Sequence, residues 1–368
     1  MRMMSTAVSP TPPDWNALLE PYRKPEIWRS AYQLTDTAIP FVALWMAMLW
    51  SLEVGYWLTL LLAIPTSLFM IRLFIFQHDC GHGAFFKSRR ANTVVGSIIG
   101  VVTLIPYSYW RRTHAIHHAT SGNLDQRNFG DIDTLTVREY LNLSRWKRLQ
   151  YRVYRHPWVM LGVGPLYQFI IKHRFPADTP RSWKREWMSV WATNIAVAAV
   201  VAVMWFTIGI ERFLLVQLPL TLLTGSLGVF LFYVQHQYKD TYWRYREAWD
   251  YYAAGLEGSS YFNLPKILHW CTGNIGYHHI HHVCSRIPNY HLERAWNEIP
   301  ALQEVTWLSI PDSLKTLRLS LWDEDSRQLI GFRELTAVRE RLERDLDDGE
   351  TVRPPKPDVV PRAWRKPE

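Results

Sequence analysis

Four apolar stretches, near residues 36–52, 56–76, 189–209 and 213–235, constrain this chain more than any other feature. A helix needs roughly 20 predominantly apolar residues to cross a bilayer, and each stretch approaches or reaches that length. The first pair, around "FVALWMAMLW" and "WLTLLLAIPTSLFMIRLFIF", is separated by "SLEVGY"; the second pair is joined by "TIGIER". Two tight hairpins of this kind bring both chain ends to one side. Charge agrees. Of 41 Lys and Arg, only Arg212 lies in a short connector and only Arg72 within a span, so the other 39 fall outside the hairpins. The positive-inside bias then puts nearly all of the non-membrane sequence, with both termini, in the cytoplasm. The expected fold is an all-α integral membrane protein, with four transmembrane helices as two hairpins and a helical cytoplasmic cap.

Two weaker apolar stretches, 93–110 and 157–171, are short for a span, and the first is broken by Gly96, Gly100 and Pro106. If both crossed, the basic "RRTHAIHH" and "SRWKR" would face the wrong side, so both read as re-entrant or interfacial segments. Residues 1–35 form an N-terminal cytoplasmic segment without the apolar core of a secretory signal. A folded unit of 36–345 follows, and the Pro-rich, charged stretch 346–368 reads as a disordered tail. The three cysteines, Cys80, Cys271 and Cys284, show no paired spacing, which argues against a disulfide framework and for a reducing compartment. A formal net charge of +8 suits anionic lipid headgroups or an acidic protein partner. A membrane protein with a cytoplasmic bulk is basic in any case, and no nucleic-acid partner is expected.

Nine of the 14 histidines are organised around the inner ends of these spans. "HDCGH" closes the second span with His78 and His82. "HAIHH" holds His114, His117 and His118, and "HHIHH" holds His278, His281 and His282, with His279 between them. His236 ends the fourth span. Residues three and four apart share one face of a helix, so each group can aim two or three imidazoles at one point. His279 faces away from its neighbours and is a partner of the ligands or an additional ligand. His156, His173, His269 and His291 lack helical partners and read as ordinary polar residues. Eight or nine imidazoles exceed one tetrahedral zinc site, and the thiolates are too few for iron–sulfur clusters. Divided between two ions they leave four or five each, which points to two irons with room for O2, although two zincs fit the spacing as well. Asp79, Asp131, Asp133, Asp240 and Asp250 are candidates to hold ligand N–H groups.

At these residues the chain resembles the membrane fatty-acid desaturases. The pattern H-x3-H, H-x2-H-H and H-x2-H-H accompanies two hairpins, and "HDCGHGAFFKSRRAN", "PYSYWRRTHAIHHATSGNLD", "GDIDTLTVREY", "VQHQYKDTYW" and "TGNIGYHHIHHVCSRIPNY" resemble the acyl-lipid branch of Δ12 or omega-6 type. The similarity runs over roughly residues 35 to 330. It implies a di-iron centre that uses O2 and two electrons to place a cis double bond in a lipid-linked acyl chain. The eight box histidines, His78, His82, His114, His117, His118, His278, His281 and His282, would be ligands, with His236 as a ninth. Acyl-CoA relatives carry an Asn one turn before that ninth ligand; this chain has Phe232. The resemblance also implies a separate electron donor, a ferredoxin or a b-type cytochrome, since no fused redox domain is visible.

An acyl chain would reach such a centre through an apolar slot between helices, for which Tyr109, Trp110, Trp270 and Tyr277 are candidate walls. The nearest rival is a di-iron hydroxylase or ketolase on the same scaffold, acting on an alkane, a carotenoid or an acyl chain. The flanking "TSGNLD" and "NIGYHHIHH" favour the desaturase. A zinc protease is excluded by Asp79 where HExxH needs its Glu. A metal transporter would carry its ligands near the membrane midplane rather than at one edge.

Overall fold

The computed structural model describes residues 13–127, 130–177, 179–347 and 361. Sixteen helices are present among them, four of them long and apolar enough to cross a membrane: α2 (Ile27–Ser51), α3 (Tyr56–His82), α9 (Lys184–Ile208) and α10 (Ile210–His236). At 1.5 Å per residue even the 25-residue helices reach about 38 Å, more than a hydrocarbon core of about 30 Å. Each begins or ends beyond its apolar stretch, because backbone hydrogen bonding continues after the apolar side chains stop. Thus α2 starts at Ile27, inside the segment expected to precede it, and α3 runs on to His82. The stretch from 346 lies, apart from residues 346–347 and 361, outside the described residues.

The hairpins meet at one end. Gly209 alone separates α9 from α10 at φ +87° and ψ 142°, a conformation open to glycine and strained for other residues. Arg212 beyond this turn pairs with Glu53 in the α2–α3 turn, so both tight turns lie together. Helix α3 packs between α2 and α10, and α9 is largely uncovered.

The stretch 93–110 is a bent pair, α4 (Arg89–Val102) and α5 (Tyr107–Thr120), whose axes differ by 102°. Gln77 of α3 fastens the bend, donating to the Ile105 carbonyl at 3.2 Å and accepting from the Thr103 hydroxyl at 2.8 Å. Gly100 permits that approach, since a Cβ there would stand 2.4 Å from the Ile105 oxygen. The second weak stretch is α8 (Val159–Lys172), π-helical over much of its length. Its inner side meets α10 at Gly225, while Trp158 before it and Val163 and Tyr167 within it are exposed.

The cap lies at the opposite end from the tight turns. It comprises α1 (Trp15–Leu19), α6 (Val137–Leu141), α7 (Arg145–Tyr154) and the helices after α10: α11 (Tyr251–Glu257), α12 (Lys266–Cys271), α13 (His278–Val283), α14 (Asn289–Glu298), α15 (Ile310–Thr316) and α16 (Leu335–Asp347). The all-α expectation holds for the bulk of the chain, with two small sheets added. Strand β1 (Leu135–Thr136) pairs in parallel with β4 (Leu319–Asp323), which pairs antiparallel with β5 (Gln328–Gly331). Strands β2 (Tyr261–Phe262) and β3 (Trp307–Leu308) are parallel. Beneath the first sheet the buried Arg127 guanidinium meets Glu139 at 2.6 Å, and Glu139 also accepts the Thr136 N–H in a capping box.

Candidate metal centre

Four helix segments deliver the nine histidines to one volume. The last turn of α3 brings His78 and His82, α5 brings His114, His117 and His118, α10 ends in His236, and α13 consists almost entirely of its box. They do not converge on a single point. His78, His82, His114, His118 and His281 form one group, and His117, His236, His278 and His282 form another, with the ligand nitrogens of each group within 4.8 Å of one another. Each box sends two imidazoles to one group, as the spacing allows, and the second and third boxes send their third to the other group. In α5 the i, i+4 pair His114/His118 joins the first group, and His117 turns to the second. In α13 the pair His278/His282 joins the second group, and His281 turns to the first. Residues four apart lie nearly over one another on a helix, whereas their neighbour is displaced by about 100°.

The donor sets fit metal ions. His118 Nε2 stands 3.1 Å from His114 Nε2 and 2.9 Å from His281 Nε2. In the other group His236 and His278 approach Nε2 to Nε2 at 2.9 Å, and His117 and His282 at 3.3 Å. Nitrogens about 2.1 Å from a shared ion, at angles of 90–109°, stand about 3.0–3.4 Å apart. Five imidazoles around one point cannot all satisfy each other as donor and acceptor, and buried His82 Nε2 has no hydrogen-bond partner among the described residues. Burial, and then the neighbouring imidazoles, hold His278, His281 and His282 well below the ordinary histidine value. They are neutral at physiological pH, which is the ligand form.

Groups behind the ring fix which nitrogen faces inward. Asp131 Oδ1 accepts from His117 Nδ1 at 2.5 Å, and the Gly258 carbonyl accepts from His236 Nδ1 at 3.0 Å. Both partners only accept, so the proton sits on Nδ1 and the Nε2 lone pair points into the group. Asp79 Oδ1 lies 3.3 Å from His78 Nδ1, while its Oδ2 accepts from both the backbone and side-chain N–H of Asn289 at 2.8 and 2.9 Å. Asn289 begins α14 and so ties the segment after the third box to α3.

Other expected residues lie elsewhere. Asp240 is exposed and accepts from Gln328, and Asp250 caps α11 through the Ala253 N–H; neither reaches an imidazole of the two groups. Asp133 lines a cavity beside the histidines. His279 is outside both groups, packed edge-on to Trp296 and Tyr261, and burial pushes its pKa down to about 3. Its place next to His278 rotates it into the aromatic core of the cap. His156, His173, His269 and His291 also fall outside both groups. Asn289 lies in "RIPNY", inside a segment that carries the resemblance, but its residue type points to no role there, and Gly258 acts through a backbone atom.

That cavity, of about 650 Å³, opens from the histidines. His78, His114 and His278 are part of its lining, and its walls come from α3, α5, α8 and α10. Tyr109 and Trp110 are among them, and Trp110 stacks on His114 with ring centroids 4.5 Å apart. Trp270 and Tyr277 are not. Trp270 lies under the Arg72 guanidinium, and Tyr277 stacks with His269 and Tyr261. Phe232 also lines the cavity and sits 5.1 Å from His117 and 5.2 Å from His236, centroid to centroid.

The family model "Fatty acid desaturase" matches residues 54–309. A fatty acid desaturase of Bacillus subtilis (strain 168) is 44% identical over 332 residues, covering 90% of this chain and 94% of that protein. An Arabidopsis thaliana chloroplastic sn-2 acyl-lipid omega-3 desaturase (ferredoxin) is 29% identical over 287 residues, 73% of this chain and 60% of the relative. An endoplasmic reticulum omega-3 fatty acid desaturase of Vigna radiata is 29% identical over 238 residues, 61% of this chain and 60% of the relative.

Proposed function

The chain belongs to the fatty acid desaturase family and is an oxidoreductase, and from that premise we propose that it desaturates lipid-linked acyl chains with a di-iron centre held by nine histidines. The observation that carries this reading is the division of nine imidazoles into five and four beside a largely apolar cavity. His78, His82, His114, His118 and His281 would hold one iron, and His117, His236, His278 and His282 the other. When bound, the irons supply the O2 chemistry that an unactivated methylene pair requires, since its C–H bonds offer nothing to a general base.

The protein's own work is positional. Neutral imidazoles keep their lone pairs inward because Asp131, the Gly258 carbonyl and Asp79 take the outer N–H groups. Trp110 and Tyr109 wall the cavity beside His114, so a chain threaded there presents one carbon pair to the centre and excludes water from it. The balance is one O2, two electrons and two protons, with two hydrogen atoms from the chain, giving a cis double bond and two waters.

The membrane reading belongs to the same proposal: the histidine end and both termini face the cytoplasm, supported by the charge asymmetry of the hairpins. A separate donor supplies the electrons. A ferredoxin suits the basic charge, and one is named for the Arabidopsis relative; a b-type cytochrome is the alternative. The finer expectation of a Δ12 or omega-6 type bond rests on the resemblance of the sequence segments.

The test is expression in a host whose lipids contain only saturated and monounsaturated chains, beside a His281→Ala control, with fatty acids profiled by gas chromatography and mass spectrometry. A new double bond absent from the control, together with about two irons per purified chain, is the expected result. Hydroxylated products, or zinc in place of iron, would overturn it.

A further inference from the structure

Within this reading of the function, we propose that Asn289, held by Gln33 of α2, is a positioning residue for the ion of the five-histidine group. His78 is the member of that group with a carboxylate behind it. Asp79 Oδ1 lies 3.3 Å from its Nδ1, and no other carboxylate hydrogen-bonds to the five rings among the described residues. Neighbours on a helix point about 100° apart, so Asp79 turns back toward His78 only if its other oxygen is anchored. Asn289 is that anchor. Its backbone N–H and its side-chain amide both donate to Asp79 Oδ2, at 2.8 and 2.9 Å.

A carboxylate only accepts, so the Asn289 Nδ2 must face Asp79 and the Oδ1 must face away from it. There Gln33 closes a reciprocal pair. Its Nε2 donates to Asn289 Oδ1 at 3.0 Å, and Asn289 Nδ2 gives its second hydrogen to Gln33 Oε1 at 3.2 Å. Asn289 and Asp79 are buried and Gln33 half-buried, so the amide of Asn289 has its donors and its acceptor engaged away from bulk water. The Asn289 carbonyl also accepts from Asn274, at 3.2 Å, in the loop that leads into the third box. One residue thereby joins α2, the last turn of α3 and the segments on both sides of α13. The first and third boxes both supply the five-histidine group, where the rings of His78 and His281 stand 4.4 Å apart, centroid to centroid. The link to Asn274 and one of the two bonds to Asp79 run through backbone atoms and survive a change of side chain. The amide bonds to Asp79 and Gln33 do not, and their direction leads to His78 alone.

The experiment compares full-length wild type, Asn289→Leu, Gln33→Met, the double variant and Asp131→Ala, each loaded with the Mössbauer isotope of iron. A chelator is added in steps, and the re-isolated protein is read by metal analysis and Mössbauer spectroscopy. In Asn289→Leu one iron per chain should leave at a chelator concentration about tenfold lower than in the wild type, the low end of what a partner behind a ligand contributes. The signal that goes first should be the one that Asp131→Ala keeps. Gln33→Met should move that same signal by less, and adding it to Asn289→Leu should change nothing further, because Gln33 acts through the amide already removed. Loss of both irons together, no shift in either, early loss of the signal that Asp131→Ala also loses first, or a double variant that sums the single effects would overturn the proposal. If Asn289→Leu does not accumulate, Gln33→Met decides by which signal moves. Because the readout is metal retention, a wild type that holds two irons and makes no double bond would overturn the functional reading and leave this assignment standing on the titration. A wild type that takes up zinc or a single iron would overturn both.

Discussion

Replacing Asp131 by Ala removes the acceptor that holds His117, and the structure allows its effect to be sized and assigned to one half of the centre. The Oδ1–Nδ1 distance is 2.5 Å, and His117 is fully buried. A hydrogen bond to a charged acceptor contributes about 1.5–3 kcal/mol. Losing it frees the ring to rotate and leaves its N–H without the carboxylate. Partners of this kind typically change metal affinity about 10–100-fold, which is about 1.4–2.8 kcal/mol, in the same range as the hydrogen bond itself. His117 belongs to the four-histidine group, and the hydrogen bond of Asp131 goes to that group alone. Iron retention should therefore be read against a graded chelator, by metal analysis of the re-isolated protein. In Asp131→Ala about one iron per chain should leave at a chelator concentration about 10–100-fold lower than in the wild type, while the other leaves as before. Asp131→Asn, which keeps a carbonyl oxygen toward Nδ1, should lie between. Loss of both irons together, or no shift for either, would refute the assignment of His117 and Asp131 to one ion.

Gly209→Ala forces an L side chain into the φ +87° turn between α9 and α10 and should cost about 1–3 kcal/mol, seen as a lower thermal midpoint in detergent with unchanged iron content. Glu139→Ala removes the counter-charge of the buried Arg127 guanidinium and the capping box of α6; about 3–5 kcal/mol should be lost in a denaturant titration of the protein. Burial alone would raise the pKa of Asp323, but hydrogen bonds from Arg341 and Ser326 outweigh it and hold the carboxyl below its usual value. Its folded value being depressed, the group stabilises above the unfolded carboxylate range near about 4 and loses that contribution as pH falls through the lower folded value. Arg341→Met leaves desolvation less opposed, so acid unfolding followed by circular dichroism should move to higher pH.

The spans were legible because hydropathy and length act locally, and the helices found contain each expected stretch or all but its last residue. The nine histidines were legible because their spacing repeats on segments that end at the same edge. Their division was not. The i, i+3, i+4 pattern of His114, His117 and His118 says which imidazoles share a helix face, but which neighbours stand on either side depends on where α3, α10 and α13 pass. The carboxylates illustrate the same limit. Asp240 stands four residues after His236 yet faces Gln328, while Asp131, fourteen residues beyond His117, returns through a loop to hold it. Trp270 flanks the third box closely in sequence and is drawn instead to buried Arg72. The small sheets escaped notice because two-residue strands such as Leu135–Thr136 have no periodicity to read, and their partner lies near residue 321.

The alternation of imidazoles along α5 and α13 makes the separation of the two histidine groups a matter of helix pitch. Both helices act as rulers, each graduated in turns and each read at two marks. Deleting one residue between His114 and His117 would rotate the remainder of α5 by about 100°, withdrawing His117 from one group and His118 from the other in the same stroke. A single-residue slip between His114 and His117 of α5, or between His278 and His281 of α13, therefore disturbs both histidine groups at once.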